Sequence, residues 1–182
     1  MLLKKGLVEV SGNRCVTRKI TLAACNYKLG LQDVLFLGNL DAKRDWMNAR
    51  DTVQGMWLML QHRIADDYVL ATGKSYSVRQ FIEKAFKLID VDIIWRGSGS
   101  EEQGIDSITG KVLIEVDPHL YRPAEVPILQ GNYDKAKKVL GWEPTISFDD
   151  LIKEMVEYDI KVNSHDCYKT QTNNIETIRA TH

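Results

Sequence analysis

The chain has 182 residues, 44% hydrophobic and 27% charged, and its 24 Lys+Arg against 25 Asp+Glu leave a net charge of −1. That length suits one domain with a real core, and that charge leaves no basic footprint for nucleic acid. Apolar runs fall far short of the ~20 residues that span a bilayer, and Met1-Leu2-Leu3-Lys4-Lys5 puts its charges after the leucines, unlike a secretory leader. Three scattered cysteines, Cys15, Cys25 and Cys167, are too few for a disulfide framework and point to reduced thiols in the cytoplasm.

Residues 1–15 show no clear element. A helix is predicted over 16–29, with Ile20, Ala23, Ala24 and Tyr27 on one face and Gly30 ending it. Residues 34–37 read as a short buried strand stopped by Gly38-Asn39. Asn48 or Asp51 caps the next helix, to about residue 63, with Val53, Met56, Trp57 and Leu60 at i, i+3, i+4, i+7. Residues 67–73 read as a second buried strand. Ser77 and Gln80 form a capping-box pattern, and the helix behind it presents Val78, Phe81, Ile82, Ala85, Phe86 and Ile89. A strand over 91–95, a Gly/Ser-rich loop over 96–110 and an alternating strand over 111–117 follow. Gly141 stops a short helix over 132–140. Ser147 opens a last helix to about residue 162, and a polar, flexible tail over 163–182 closes the chain.

This alternation predicts an α/β fold with a mostly parallel sheet. Strands apolar on both faces need helices on both sides and strands on both edges. Only two or three such strands are present, so the chain reads as part of a larger α/β protein.

Several chemistries are missing. A dinucleotide fold opens with G-x-G-x-x-G, whose glycines let backbone amides approach a pyrophosphate. The only candidate, Gly97-Ser98-Gly99, runs into Glu101 and Glu102, which would repel one. Tyr133 and Lys137 match Tyr-x-x-x-Lys, but on an exposed basic helix where nothing depresses the phenol's pKa. His62, His119, His165 and His182 lack ligand spacing, so no metal site is expected.

Three polar clusters carry more information than a fold needs. Val16-Thr17-Arg18-Lys19 opens a helix, where backbone amides and cations suit a phosphate; it also reads as a solvated basic turn. Asp41-Ala42-Lys43-Arg44-Asp45-Trp46 lies just past a strand's carboxyl end, where open α/β sheets bind ligands, and also reads as a loop salt bridge. Tyr121-Arg122-Pro123-Ala124-Glu125 projects an Arg and a Glu from a stiffened backbone, either for a diphosphate and a ribose diol or as a surface pair.

Together these runs resemble the GDP-mannose 4,6-dehydratase family of extended short-chain dehydrogenases. The resemblance also takes in Leu37-Gly38-Asn39-Leu40, Ala71-Thr72-Gly73, Ser77-Val78-Arg79-Gln80-Phe81 and Lys138-Val139-Leu140-Gly141-Trp142-Glu143-Pro144, and it covers residues 16–162. It implies a Rossmann-like fold with a sugar-nucleotide-binding subdomain. Enzymes of this family convert GDP-mannose to GDP-4-keto-6-deoxy-mannose, the first step toward GDP-fucose, with NADP as cofactor.

The chain resembles only the C-terminal half of such an enzyme. The half that binds NADP and supplies the catalytic groups lies upstream of the resemblance. Carried over residue by residue, Lys19 and Arg44 are phosphate contacts, Val16 and Thr17 line the nucleotide pocket, Arg122 holds the diphosphate and Glu125 the ribose. No catalytic residue is carried over. Residues 1–15 diverge from the family, which has Asn-His-Glu-x-Pro-x-Arg-Gly before Val16; of the span from Lys5 to Gly12 only Gly12 fits. Asn48 and Thr52 replace a His and a Tyr of the relatives. The expected role is therefore the GDP-mannose-binding portion of a dehydratase, inactive alone. A non-catalytic partner of a separate N-terminal half or of a homologous subunit, and a lone nucleotide-sugar-binding module, are the alternatives. The module is disfavoured because orphaned strand edges favour aggregation.

Overall fold

The fold is that of a computed structural model, which describes residues 15–31, 34–121 and 124–180, with side chains as far as Ser164. In chain order the helices are α1 (Val16–Lys28), α2 (Ala49–Gln61), α3 (Val78–Lys87), α4 (Asp134–Leu140) and α5 (Phe148–Ala180). The strands are β1 (Leu35–Leu37), β2 (Lys43–Arg44), β3 (Tyr76–Ser77), β4 (Ile93–Arg96), β5 (Gln103–Asp106), β6 (Val112–Val116) and β7 (Ile128–Leu129). They form a four-stranded sheet, β1-β6-β5-β4, and a small sheet, β3-β2-β7.

The α/β class holds, but the large sheet is not mostly parallel. β1 runs parallel to β6, with Leu35 opposite Ile114, while β6–β5 and β5–β4 are antiparallel. Short connections force this, because a parallel crossover needs a dozen residues or more. β5 lies inside the stretch expected to be a loop. Gly104 disguises it: a Cβ there would lie 3.0 Å from both the Ile114 and Trp95 side chains, so a larger residue would push on its neighbours.

The main core lies between this sheet and α1, α3 and α5. All six residues read onto the buried face of α3 are buried, and the Ser77–Gln80 capping box is complete. α1 ends where expected: Leu31 N–H bonds to Asn26 and Gly30 N–H to Tyr27, with Gly30 at φ 70°. Trp46 enters this core edge-on to Phe81 at 5.2 Å and stacked on Phe148 at 5.7 Å. A second, smaller cluster gathers Met47, Ala136 and Trp142 between α2 and α4.

Three further expectations are corrected. Residues 67–73 form no strand; the segment runs extended, with its polar end taken up elsewhere, as described below. β1 is not buried on both faces: Phe36 is 51% exposed, and among the described residues β1 lies at an edge of its sheet. α5 does not stop near residue 162 but continues to Ala180, because no Gly or Pro interrupts it and a nucleated helix propagates residue by residue.

Asp106 closes β5 and accepts hydrogen bonds from Ile108 N–H (2.9 Å), Thr109 Oγ1 (2.7 Å) and Tyr27 Oη (3.2 Å). Burial pushes its carboxyl up, but the bonds from Ile108, Thr109 and Tyr27 outweigh that and hold it below the ordinary 3.8. Its stabilisation is therefore full above about pH 4 and lost as pH falls through the lower folded value. Asp106→Asn is expected to cost about 1–2 kcal/mol at pH 7 and much less at pH 2. Urea denaturation at both pH values checks this; an equal cost at both would contradict it.

Candidate functional site

Five of the six residues expected to touch a ligand lie among the described residues; Arg122, like Pro123, lies outside them. Val16, Thr17 and Lys19 share the first turn of α1. Val16 packs on the main core, Thr17 is fully buried with its Oγ1 3.1 Å from Cys15 Sγ, and Lys19 is half-buried. Cys15, at the N-cap of α1, makes no side-chain cap bond. Arg18 turns inward and pairs with buried Asp159 of α5. Burial pushes the Asp159 carboxyl up, against the pull of Thr21 and Arg18. Arg18 is thus committed to joining two helices.

Arg44 and Glu125 meet directly. Arg44 Nη2 donates to Glu125 Oε1 at 2.6 Å, and Nη1 donates to the carbonyls of Val126 (2.9 Å) and Lys43 (2.7 Å). Both side chains are largely shielded from solvent. The pair sits where β2 meets β7, in parallel register with Lys43 opposite Ile128 and Arg44 opposite Leu129.

Asp45, next in the chain, fixes this junction. Its carboxylate accepts from Thr72 N–H (3.0 Å), Thr72 Oγ1, Gly73 N–H (3.0 Å) and Gly131 N–H (3.2 Å). These bonds explain why residues 67–73 make no ladder: the amides at the end of the segment bond to a side chain. A Cβ at Gly131 would lie 2.3 Å from Ala71 Cβ, so only glycine allows the two backbones to close around the carboxylate. Periodicity carries no sign of this role, although Asp45 stands inside a run already singled out.

A second carboxylate, Asp51, fixes α2. It is buried and accepts from Thr145 N–H (3.1 Å), Thr145 Oγ1 (2.7 Å) and Ile146 N–H (3.0 Å), while Trp142 Nε1 donates to its carbonyl at 2.9 Å. Asn48 caps α2 by accepting from Arg50 N–H at 2.9 Å and donates to Glu154 at 2.9 Å. Asn48 and Thr52, the two departures from the family pattern, are both buried against the body.

Arg79 of α3 donates to Asp41 at 2.9 Å and to Glu102 at 3.0 Å, and lies 4.6 Å over the Trp95 ring. Its hydrogen bond to Glu102 leads the causes that hold it protonated. That contact also bears on the Gly97 loop. The loop joins antiparallel β4 and β5 and runs into a 3₁₀ turn at Gly99–Glu101, not into a long helix. Gly97 serves the turn itself, at φ +83° with Glu101 O in the way of any Cβ. This loop therefore lacks the strand-to-long-helix turn on which a G-x-G-x-x-G phosphate site is built. Lys137 faces Glu143 at 2.6 Å, while Tyr133 lies edge-on to Trp142. Among the described residues no three His, Cys, Asp or Glu side chains are grouped to hold a metal.

Residues 8–155 match the family described as GDP-mannose 4,6 dehydratase. The chain is 51% identical over 150 residues to GDP-mannose 4,6 dehydratase of Dictyostelium discoideum, covering 82% of this chain and 42% of the relative. It is 48% identical over 151 residues to the Homo sapiens enzyme, covering 83% and 41%. It thus spans about two fifths of the length of these relatives. Among solved structures, RMD from Pseudomonas aeruginosa complexed with NADPH aligns at TM-score 0.67 and 19% identity, over 86% of this chain and 46% of that one. UDP-glucose 4-epimerase from Bifidobacterium longum in complex with NAD+ and UDP aligns at 0.58 and 18%, over 82% and 39%. These two share the fold, a Rossmann-like α/β arrangement.

Removing the Asp51 carboxylate leaves three donors of residues 145 and 146 without their acceptor. Asp51→Ala is expected to cost about 2–4 kcal/mol, read as a lower urea midpoint. A loss under about 0.5 kcal/mol, typical of an ordinary surface site, would contradict the clamp.

Proposed function

Because this chain belongs to the GDP-mannose 4,6-dehydratase family, we propose that it forms the portion of such an enzyme that holds the GDP end of GDP-mannose. The Arg44–Glu125 pair carries this reading. A guanidinium has five N–H donors, and the three bonds described engage three of them, leaving a fork suited to a diphosphate oxygen. Glu125 gives one oxygen to Arg44 and offers the other to a ribose diol. Lys19 and Arg122 supply further positive charge to the diphosphate. Val16 lines the nucleotide pocket, and Thr17, its side chain buried, contributes a backbone N–H at the start of α1.

The work of these residues is to bind and orient. The reaction, GDP-mannose to GDP-4-keto-6-deoxy-mannose with NADP, draws its cofactor site and catalytic groups from the rest of the enzyme. The reading sets this in the cytoplasm, in keeping with a Cys25 thiol that forms no disulfide. Among the described residues no helix is long and apolar enough to cross a membrane.

The 182-residue polypeptide is expected to bind GDP and, given GDP-mannose and NADP, to form no product. Arg44→Ala is expected to weaken GDP binding about tenfold or more, from the loss of a charge-assisted bond worth ~1.5–3 kcal/mol. Calorimetric titration reads the affinity, and chromatography of the sugar nucleotides reads turnover. Unchanged affinity in the variant would remove Arg44 from the site. Product formation would overturn a purely binding role.

A further inference from the structure

The ladder that joins β2 to β7 is two residues long: Lys43 pairs with Ile128 and Arg44 with Leu129. So short a pairing holds little by itself, and among the described residues β7 has no second neighbour in its sheet. On one side of the ladder Lys43 N–H donates to Pro127 O at 2.8 Å. On the other side the next tie is a side chain. Asp45 Oδ2 accepts from Gly131 N–H at 3.2 Å and from Gly73 N–H at 3.0 Å, while Oδ1 takes both donors of Thr72. β2 is secured on its far side by β3 and by the first amides of α3: Val78 N–H donates to Ala42 O (3.2 Å) and Arg79 N–H to Leu40 O (2.9 Å). What Asp45 adds is the tie to β7. The partners of Arg44, Glu125 and the Val126 carbonyl, stand in the chain just before β7. The spacing of β2 and β7 therefore sets where the guanidinium rests, and Asp45 closes that spacing.

We propose that Asp45 is a positioning residue for a nucleotide diphosphate: it makes no ligand contact and acts through Arg44, by holding β7 where Glu125 and Val126 orient the guanidinium. The inference deepens the reading above and rests on its claim that Arg44 meets the diphosphate. Charge and geometry oppose each other here, which makes the role separable. Asp45 is next to Arg44 in the chain, and its carboxylate repels a diphosphate, so charge alone makes binding tighter when Asp45 is neutralised. Loss of position makes binding weaker. Asp45→Asn keeps the size of the side chain but turns one acceptor oxygen into a donor. Whichever oxygen that is, two of the four donors lose their acceptor. Other ties remain in the variant: Gln130 Nε2 donates to Gly73 O at 2.6 Å, and the two cores hold Trp46 and Met47. The junction is therefore expected to loosen without unfolding the chain.

The test is a double-mutant cycle on the 182-residue chain, read by calorimetric titration with GDP. Asp45→Asn is expected to bind GDP about tenfold more weakly than the parent, the scale on which groups of one network couple. In the Arg44→Ala background the same substitution is expected to change the affinity less than about twofold, because the group it positions is gone. Thr72→Val removes one donor and keeps the backbone donors. It is expected to weaken binding about threefold, again only where Arg44 is present. Circular dichroism and urea midpoints report whether each variant is folded; should Asp45→Asn fail to fold, the cycle is read on Thr72→Val. Unchanged or tighter binding in the variant that is read would overturn the proposal. So would an equal loss with and without Arg44, since that marks a general weakening of the fold. A loss in Arg44→Ala with none in Asp45→Asn or Thr72→Val overturns the positioning role only. No GDP binding by the parent chain, or unchanged affinity in Arg44→Ala, overturns the reading of the site, and the positioning role falls with it.

Discussion

The Asp45 carboxylate accepts hydrogen bonds from Thr72, Gly73 and Gly131, and so gathers segments 27, 28 and 86 residues away in the chain. The arrangement around it depends on this one group. Gly131 follows β7 closely, β7 pairs with β2, and β2 carries Arg44. Val126, before β7, accepts from Arg44, and Glu125 receives the guanidinium. Four neighbours in sequence then divide the labour: Arg44 faces Glu125, Asp45 ties the loops, Trp46 enters the main core and Met47 enters the smaller one. Arg44 is thereby followed directly in the chain by residues anchored in both cores, the rigid support that the proposed diphosphate contact would require.

A second constraint concerns which residues are small. Gly131 lets residue 71 approach, Gly55 lets α2 settle on Leu70 and Trp142, and Gly104 lets β5 lie between Trp95 and Ile114. At Gly131 a Cβ would collide with the fixed Cβ of Ala71, while at Gly55 and Gly104 it would press on side-chain atoms that would have to shift. At α2, seated through Thr52 and Gly55, the large residues Val53, Met56, Trp57 and Leu60 are exposed. The apolar stripe and the buried clamp are two results of one orientation.

Much of this was legible in the sequence where periodicity and capping agreed. α3 announced itself by both, and α1 by its face and Gly30. The α2 stripe is also visible as a pattern, but periodicity reports that a helix has two faces and not which one meets the body. Residues 67–73 looked like a strand because an apolar run is ambiguous; the acceptor for the amides at its end is a distant carboxylate. β5 was hidden by Gly104, whose absent side chain is a packing requirement. Family resemblance singles out Arg44 and Glu125, and the structure adds that they meet directly. The role of Asp45 had no local signal, because an aspartate that organises backbone amides looks in sequence like one that meets water.

Hydrogen exchange at the amides of Thr72, Gly73 and Gly131, compared between this chain and Asp45→Asn, tests most directly whether one carboxylate organises this junction. The account predicts that all three amides are protected in the parent chain and lose protection together in the variant, while Phe81 and Ile82 in α3 keep theirs. Protection that survives the substitution, or that is lost at one amide and kept at the others, would show that the three segments hold their places without Asp45, and would contradict the account.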